Sequence, residues 1–271
     1  MTFHPHGLPE PASDQTVFDR VVEHMLHQGR PSMAVPPGET EAQGRYRGAD
    51  GLVCAIGRVI PDDAYSPAFE GKSLKGLLGE GRLPFLAPFR PILHGLQRIH
   101  DLAGCHPDGT FVQGALRRDL VAFARSCEGI RPYAALGIRP AEYDALLRVR
   151  AILADPAACP RFRFTMATWI AEPEEAGTAC CIGGAMVLFL NDAFAQVVER
   201  GVSRWSLDPE LRAALWTPTS PALEPLFLPL RGGDTMRCYG SYTPAEGLVA
   251  LDAFLSGSVL PWTFTRTAAA R

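Results

Sequence analysis

The chain has 271 residues, of which 47% are hydrophobic, 20% charged and 9% aromatic, a globular balance that excludes a disordered chain. Its net charge is −3, with 26 basic and 29 acidic residues interleaved, so no Lys/Arg block marks a phosphate-tracking surface and no nucleic-acid partner is expected. Seven cysteines, an odd number in a chain of ordinary size, read as reduced thiols.

Residues from Met1 to Ala12 are rich in His and Pro and read as a loose tail. They show no basic region followed by an apolar core, and the longest apolar run, Ala185 to Leu190, is too short to cross a bilayer. A cytoplasmic location with no membrane partner is the expectation.

The first helix is predicted over Asp14 to Gln28, where the apolar doublets Val17/Phe18, Val21/Val22 and Met25/Leu26 recur four residues apart. Gly29 to Pro31 ends it. Ser32 to Gln43 reads as a loop, and Gly44 to Asp50 as a short strand and turn. The apolar run Gly51 to Ile60, stopped by Pro61, predicts a buried short helix starting near Cys54. Helices are also expected at Ser73 to Leu78, Pro91 to Ala103, and Phe111 to Cys127 with Thr110 as its cap.

In the second half, Pro140 to Ala154 predicts a helix, while Phe162 to Ile170 is compatible with strand or helix. Glu172 to Ala176 reads as a turn, and Ala185 to Leu190 as a second buried helix. Short helices follow at Asp208 to Trp216 and from Ser220-Pro221 onward. Thr243-Pro244-Ala245-Glu246 is a capping box that opens a helix closed by Gly257.

The two buried segments echo each other. Gly51-x-x-Cys54-x-Ile56-Gly57 matches Gly177-x-x-Cys180-x-Ile182-Gly183, and a second register aligns Cys54-x-x-Gly57 with Cys181-x-x-Gly184. Duplication of one supersecondary unit and coincidence in a Gly/Cys-rich window both fit. A small thiol one turn from a glycine suits a close contact between helices. The functional counterpart is a thiol at a helix N-terminus, where free amides lower its pKa.

The stretch GRYRGADGLVCAIGRVIPDDAY, with Leu96-Gln97-Arg98-Ile99-His100-Asp101 downstream, resembles uncharacterised proteins common in bacteriophages and their hosts. Those pair a YRG…GxxCAIGxxI segment with a later LQxxHD. GTACCIGGA with TPAEGLVALDAFLSG resembles uncharacterised bacterial proteins that carry GTxxCIxG and a terminal TPxx helix. In the second resemblance the motif cysteine corresponds to Cys181, which favours the second register. These resemblances imply a shared fold and no chemistry, with Tyr46, Arg47, Gly51, Gly57, Cys181 and Gly184 as binding or structural motif residues.

Cys54, His100 and Asp101 are the sharpest catalytic candidates, since a thiol enzyme needs a thiolate, an imidazole and an orienting group. On a helical wheel His100 faces inward between Leu93 and Leu96. Asp101 points away, and Gln97, one turn earlier, is better placed to orient the ring. The competing reading is a buried structural histidine. Cys105-His106, Cys159, Cys238 and His4/His6 lack metal-ligand spacing, so no metal is expected. Gly71, Gly76 and Gly79 lack the context of a phosphate loop, and no cofactor is expected. Trp169, Trp205, Trp216 and Trp262 fit either a core or an interface.

The expected fold is therefore mainly α with minor short strands. Two similarly organised helical halves, 13–129 and 130–271, would each carry a buried Cys-x-x-Gly helix and pack as two domains or one body. The expected function is a non-enzymatic module that binds a protein or small ligand, in a phage–host setting. The alternative is a cysteine-dependent hydrolase or transferase using Cys54 and His100.

Overall fold

The computed structural model describes residues 12–35, 40, 43–175, 177–215, 219–227, 242–259 and 262. The tail before residue 12, with His4 and His6, lies outside the described residues, as do Ala176, Trp216 and Cys238. The described chain is mainly helical, with two small sheets of two strands each. It divides into two compact units, one up to Ala135 and one from Leu136 onward.

The first unit contains α1 (Asp14–Gln28), β1 (Met33–Ala34), β2 (Gln43–Gly44), α2 (Leu74–Gly79), α3 (Arg90–Leu102) and α4 (Gln113–Ser126). Val17, Phe18, Val21, Val22 and Met25 of the predicted doublets form the buried stripe of α1, with Leu26 half-buried, and Ser13 caps the helix by accepting from the Thr16 amide. α1 packs on α3, which buries Ile92, Leu93, Leu96 and His100, and on a short 3-10 turn at Gly57–Val59. The stretch read as a loop after Ser32 contains a strand: Met33 pairs with Gly44 and Ala34 with Gln43, antiparallel. Buried Ser32 anchors this pair, its hydroxyl donating to the Arg45 carbonyl at 2.9 Å. Thr110 does not cap α4. Its amide and hydroxyl both bond Asp108, and the cap position is Val112.

A single turn, α5 (Tyr133–Leu136), spans the junction. The second unit contains α6 (Pro140–Ala154), β3 (Phe162–Phe164), β4 (Thr178–Cys180), α7 (Ile182–Leu190), α8 (Pro209–Ala214), α9 (Glu224–Phe227) and α10 (Pro244–Leu255). α6 packs against both α7 and α10. Of the stretch Phe162 to Ile170 only Phe162–Phe164 is strand, β3, which runs parallel to β4; the chain then bends, and Ile170 forms an isolated antiparallel bridge to Cys180. The capping box at Thr243 and Glu246 is present. No helix among the described residues is long and apolar enough to cross a membrane.

The two Cys-Gly segments share a local geometry. The Cys54 sulfur accepts from the Gly57 amide at 3.3 Å, and the Cys54 carbonyl accepts from Arg58 at 3.0 Å. The Cys181 sulfur accepts from Gly184 at 3.3 Å, and its carbonyl from Ala185 at 3.0 Å. Each sulfur thus does the work of an N-cap oxygen. Each glycine lies against a main-chain carbonyl, that of Tyr46 for Gly57 and that of Trp169 for Gly184, where a Cβ has no room. The segments then diverge. α7 continues for nine residues, whereas the turn after Cys54 stops at Ile60 because Pro61 pushes its predecessor into extended backbone.

Two predictions follow from this packing. Gly57→Ala and Gly184→Ala each force a methyl into a carbonyl and cost about 2–3 kcal/mol in denaturant titration. Gly79→Ala, with open space around its Cβ, is neutral or stabilising by up to about 1 kcal/mol. Glu142 is a buried carboxylate on α6. Burial alone raises its pKa, but donors from Arg139 and Ser220 outweigh that and hold it below its ordinary 4.5. The stability it supplies is complete above that value and is lost as pH falls through the lower, folded-state pKa. Glu142→Gln is expected to cost about 2 kcal/mol at pH 7 and progressively less in acid, measured by urea unfolding across pH.

Candidate functional site

The first unit holds a cavity of about 890 Å³ between the β2 segment, α2 and the polar face of α3. Its buried lining comes from Tyr46, Cys54, Ile56 and Leu74, with Gln97 half-buried beside them. Its exposed lining carries Lys75, Arg90, His94, Arg98 and Asp101.

α1 and the Tyr46–Arg47 pair fix the Cys54 wall. The Gln28 side chain grips Val53 at two points, accepting from its amide at 2.9 Å and donating to its carbonyl at 3.1 Å, and His24 reaches the same carbonyl. Glu70 accepts from the amides of Tyr46 and Arg47 at 3.1 and 2.9 Å, and the Tyr46 hydroxyl donates to the Lys72 carbonyl. The Arg47 guanidinium donates to Ile60 and pairs with Asp62, tying down the far end of the Cys54 turn. Gly51 provides the positive φ of 75° in the tight loop before it.

His100 is 1% exposed and both of its nitrogens are engaged. The Ser32 amide donates to Nε2 at 3.0 Å, so that nitrogen carries a lone pair. The ring proton therefore sits on Nδ1, which donates to Asp101 at 2.9 Å. Asp101, read from helical spacing as pointing away, is thus the ring's direct partner; at the last turn of α3 its short side chain reaches back to the neighbouring ring. Gln97 contacts the ring only indirectly. It donates to the same Asp101 oxygen at 2.7 Å and accepts from the Ile56 amide at 3.1 Å. Among the described residues no hydrogen bond joins Cys54 to His100.

Burial pushes the Cys54 thiol up to about 12, outweighing the Gly57 and Ile56 amides that pull it down. At pH 7 the thiol is therefore protonated. Burial likewise raises Cys180 and Cys181. Cys181 and Gly184 belong to the second unit, where they open α7.

The rim charges are not compensated evenly. Lys72 is neutralised by Glu80, with both carboxylate oxygens at 2.8 Å. Lys75, Arg90 and Arg98 form no ion pair with any described residue. Asp101 uses only Oδ1 internally, and its Oδ2 has no hydrogen-bond partner among the described residues. Sequence reasoning missed these cations, although Arg90, His94 and Arg98 recur every fourth residue on α3. Among the tryptophans, Trp169 packs edge-on against Phe227, Trp262 is buried and donates to the Leu226 carbonyl, and Trp205 is 57% exposed. No group of three or more His, Cys, Asp or Glu suited to hold a metal occurs among the described residues.

Comparison of the chain with protein-family models, with curated proteins and with solved structures finds no match.

Thiol reactivity separates a structural from a catalytic Cys54. With iodoacetamide at pH 8 the exposed Cys105 is expected to alkylate within minutes, while Cys54 and Cys181 stay unmodified until the protein is unfolded. Peptide mapping by mass spectrometry reads the result. Alkylation of native Cys54 faster than Cys105 reverses the assignment.

Proposed function

We propose that the chain is a non-enzymatic binding module whose first unit recognises an anionic ligand in the Cys54–Asp101 cavity. The observation that carries this reading is three rim cations with no ion-pair partner among the described residues, lining a cavity of small-ligand size. Cys54, His100 and Gln97 serve as its framework: the thiol is protonated and caps a turn, and the imidazole straps Ser32 to α3. A cytoplasmic, phage–host setting is part of the proposal and rests on the motif resemblance. The two units are proposed to descend from one duplicated element, supported by the matching sulfur–amide and carbonyl–amide distances at Cys54 and Cys181.

A cysteine-dependent hydrolase or transferase is the second reading, favoured only by Cys54 and Asp101 lining one cavity.

Anion recognition is tested by thermal unfolding of the full chain with citrate, a hexaglutamate peptide or ribose 5-phosphate at low ionic strength. A ligand at 100 times its Kd stabilises by about 2.7 kcal/mol, which is a readily measured rise in Tm. At least one of the three is expected to raise Tm, and Lys75→Ala/Arg98→Ala is expected to abolish the rise. No shift with any of them, or an equal shift in the double variant, overturns the proposal.

A further inference from the structure

The cavity contains more than positive charge. Asp101 places one carboxylate among the cations, and that carboxylate is 35% exposed. Its Oδ1 is held by His100 and Gln97, so the group is fixed in direction before any ligand arrives. Its Oδ2 accepts no hydrogen bond from any described residue. A ligand that fits must therefore present negative charge to Lys75, Arg90 and Arg98 and a hydrogen-bond donor to Asp101. An acidic peptide matches the cations but sets its own carboxylates against Asp101. A phosphate monoester is a compact dianion that arginine and lysine bind well, and a sugar hydroxyl is a neutral donor suited to a fixed carboxylate. The volume of about 890 Å³ is that of a small-molecule site. Tyr46, Ile56 and Leu74 supply buried apolar wall.

Building on the anion-binding reading, we propose that the occupant is a small phosphorylated metabolite with free hydroxyl groups, of the sugar-phosphate class. The phosphate lies on Lys75, Arg90 and Arg98, and a hydroxyl donates to Asp101 Oδ2. No bond is made or broken.

The test is isothermal titration of the full chain with ribose 5-phosphate, ribose, inorganic phosphate and hexaglutamate at low ionic strength. Ribose 5-phosphate is expected to bind at least about tenfold more tightly than inorganic phosphate, with no measurable heat from ribose alone. Arg98→Ala and Lys75→Ala, both at exposed positions, are each expected to weaken ribose 5-phosphate about fivefold or more. Asp101→Asn is expected to collapse the preference over inorganic phosphate, because the hydroxyl contact weakens while repulsion of phosphate is relieved. Ribose 5-phosphate that binds no better than inorganic phosphate, or equally well to both rim variants, overturns the sugar-phosphate assignment. Binding of hexaglutamate but not ribose 5-phosphate also overturns it, while leaving anion recognition standing. Silence from every anion removes both readings.

Discussion

A hydrogen bond from a glycine amide to a sulfur three residues earlier occurs in each unit, at Gly57 and Cys54 and at Gly184 and Cys181, and in the first unit the cavity wall depends on it. A buried amide without a partner is costly, and a thiol accepts from it without bringing a charge into the core. The glycine then leaves its outer side bare, and a neighbouring main chain closes on it: Tyr46 on Gly57, Trp169 on Gly184. In the first unit the consequences spread outward. With Tyr46 pressed on Gly57, its amide meets Glu70 and its hydroxyl meets the Lys72 carbonyl, so the segment leading to α2 is held against the Cys54 turn. That contact brings α2 and the β2 segment to opposite parts of one cavity lining.

The same burial that makes the cap work removes the thiol's reactivity. Local amides at a turn stabilise a thiolate, and on sequence grounds they could have prevailed. They do not, because desolvation of a negative sulfur in a core of apolar side chains is the larger effect. His100 is occupied in a comparable way. An imidazole that acts as a general base needs a free nitrogen facing the nucleophile, whereas this one spends Nε2 on the Ser32 amide and Nδ1 on Asp101. The residues that resemble catalytic parts are consumed by the framework, while Lys75, Arg90 and Arg98 at the cavity rim have no ion-pair partner among the described residues.

Much of the helical pattern was legible in the sequence. α1 and α6 have the bounds that their periodicity and flanking signals imply, and the Thr243 box caps α10 as its residues dictate. Short strands were harder. Met33–Ala34 is two residues long and has no alternation to detect; it is fixed by Ser32 and His100, a contact 68 positions apart in the chain. Wheel geometry placed His100 inside correctly but misplaced Asp101, since adjacent side chains at a helix end can meet when the partner is a large ring. The basic stripe on α3 was visible at four-residue spacing, yet its meaning depended on Lys75, which only the packing of α2 brings to the same cavity.

The different continuation after the two caps follows from one proline. After Gly184 nothing interrupts the helix, and α7 buries its first seven residues as core. After Gly57 the chain must turn at Pro61, so the same cap yields one 3-10 turn, followed by turns, the short helix α2 and further 3-10 structure up to α3. That stretch carries Glu70, Lys72, Ser73 and Lys75, which clamp Tyr46 or line the cavity. A continuing apolar helix would have spent these positions on packing. Stopping it early leaves polar chain available at the surface, and of the cations lining the first unit's cavity Lys75, Arg90 and Arg98 have no ion-pair partner among the described residues.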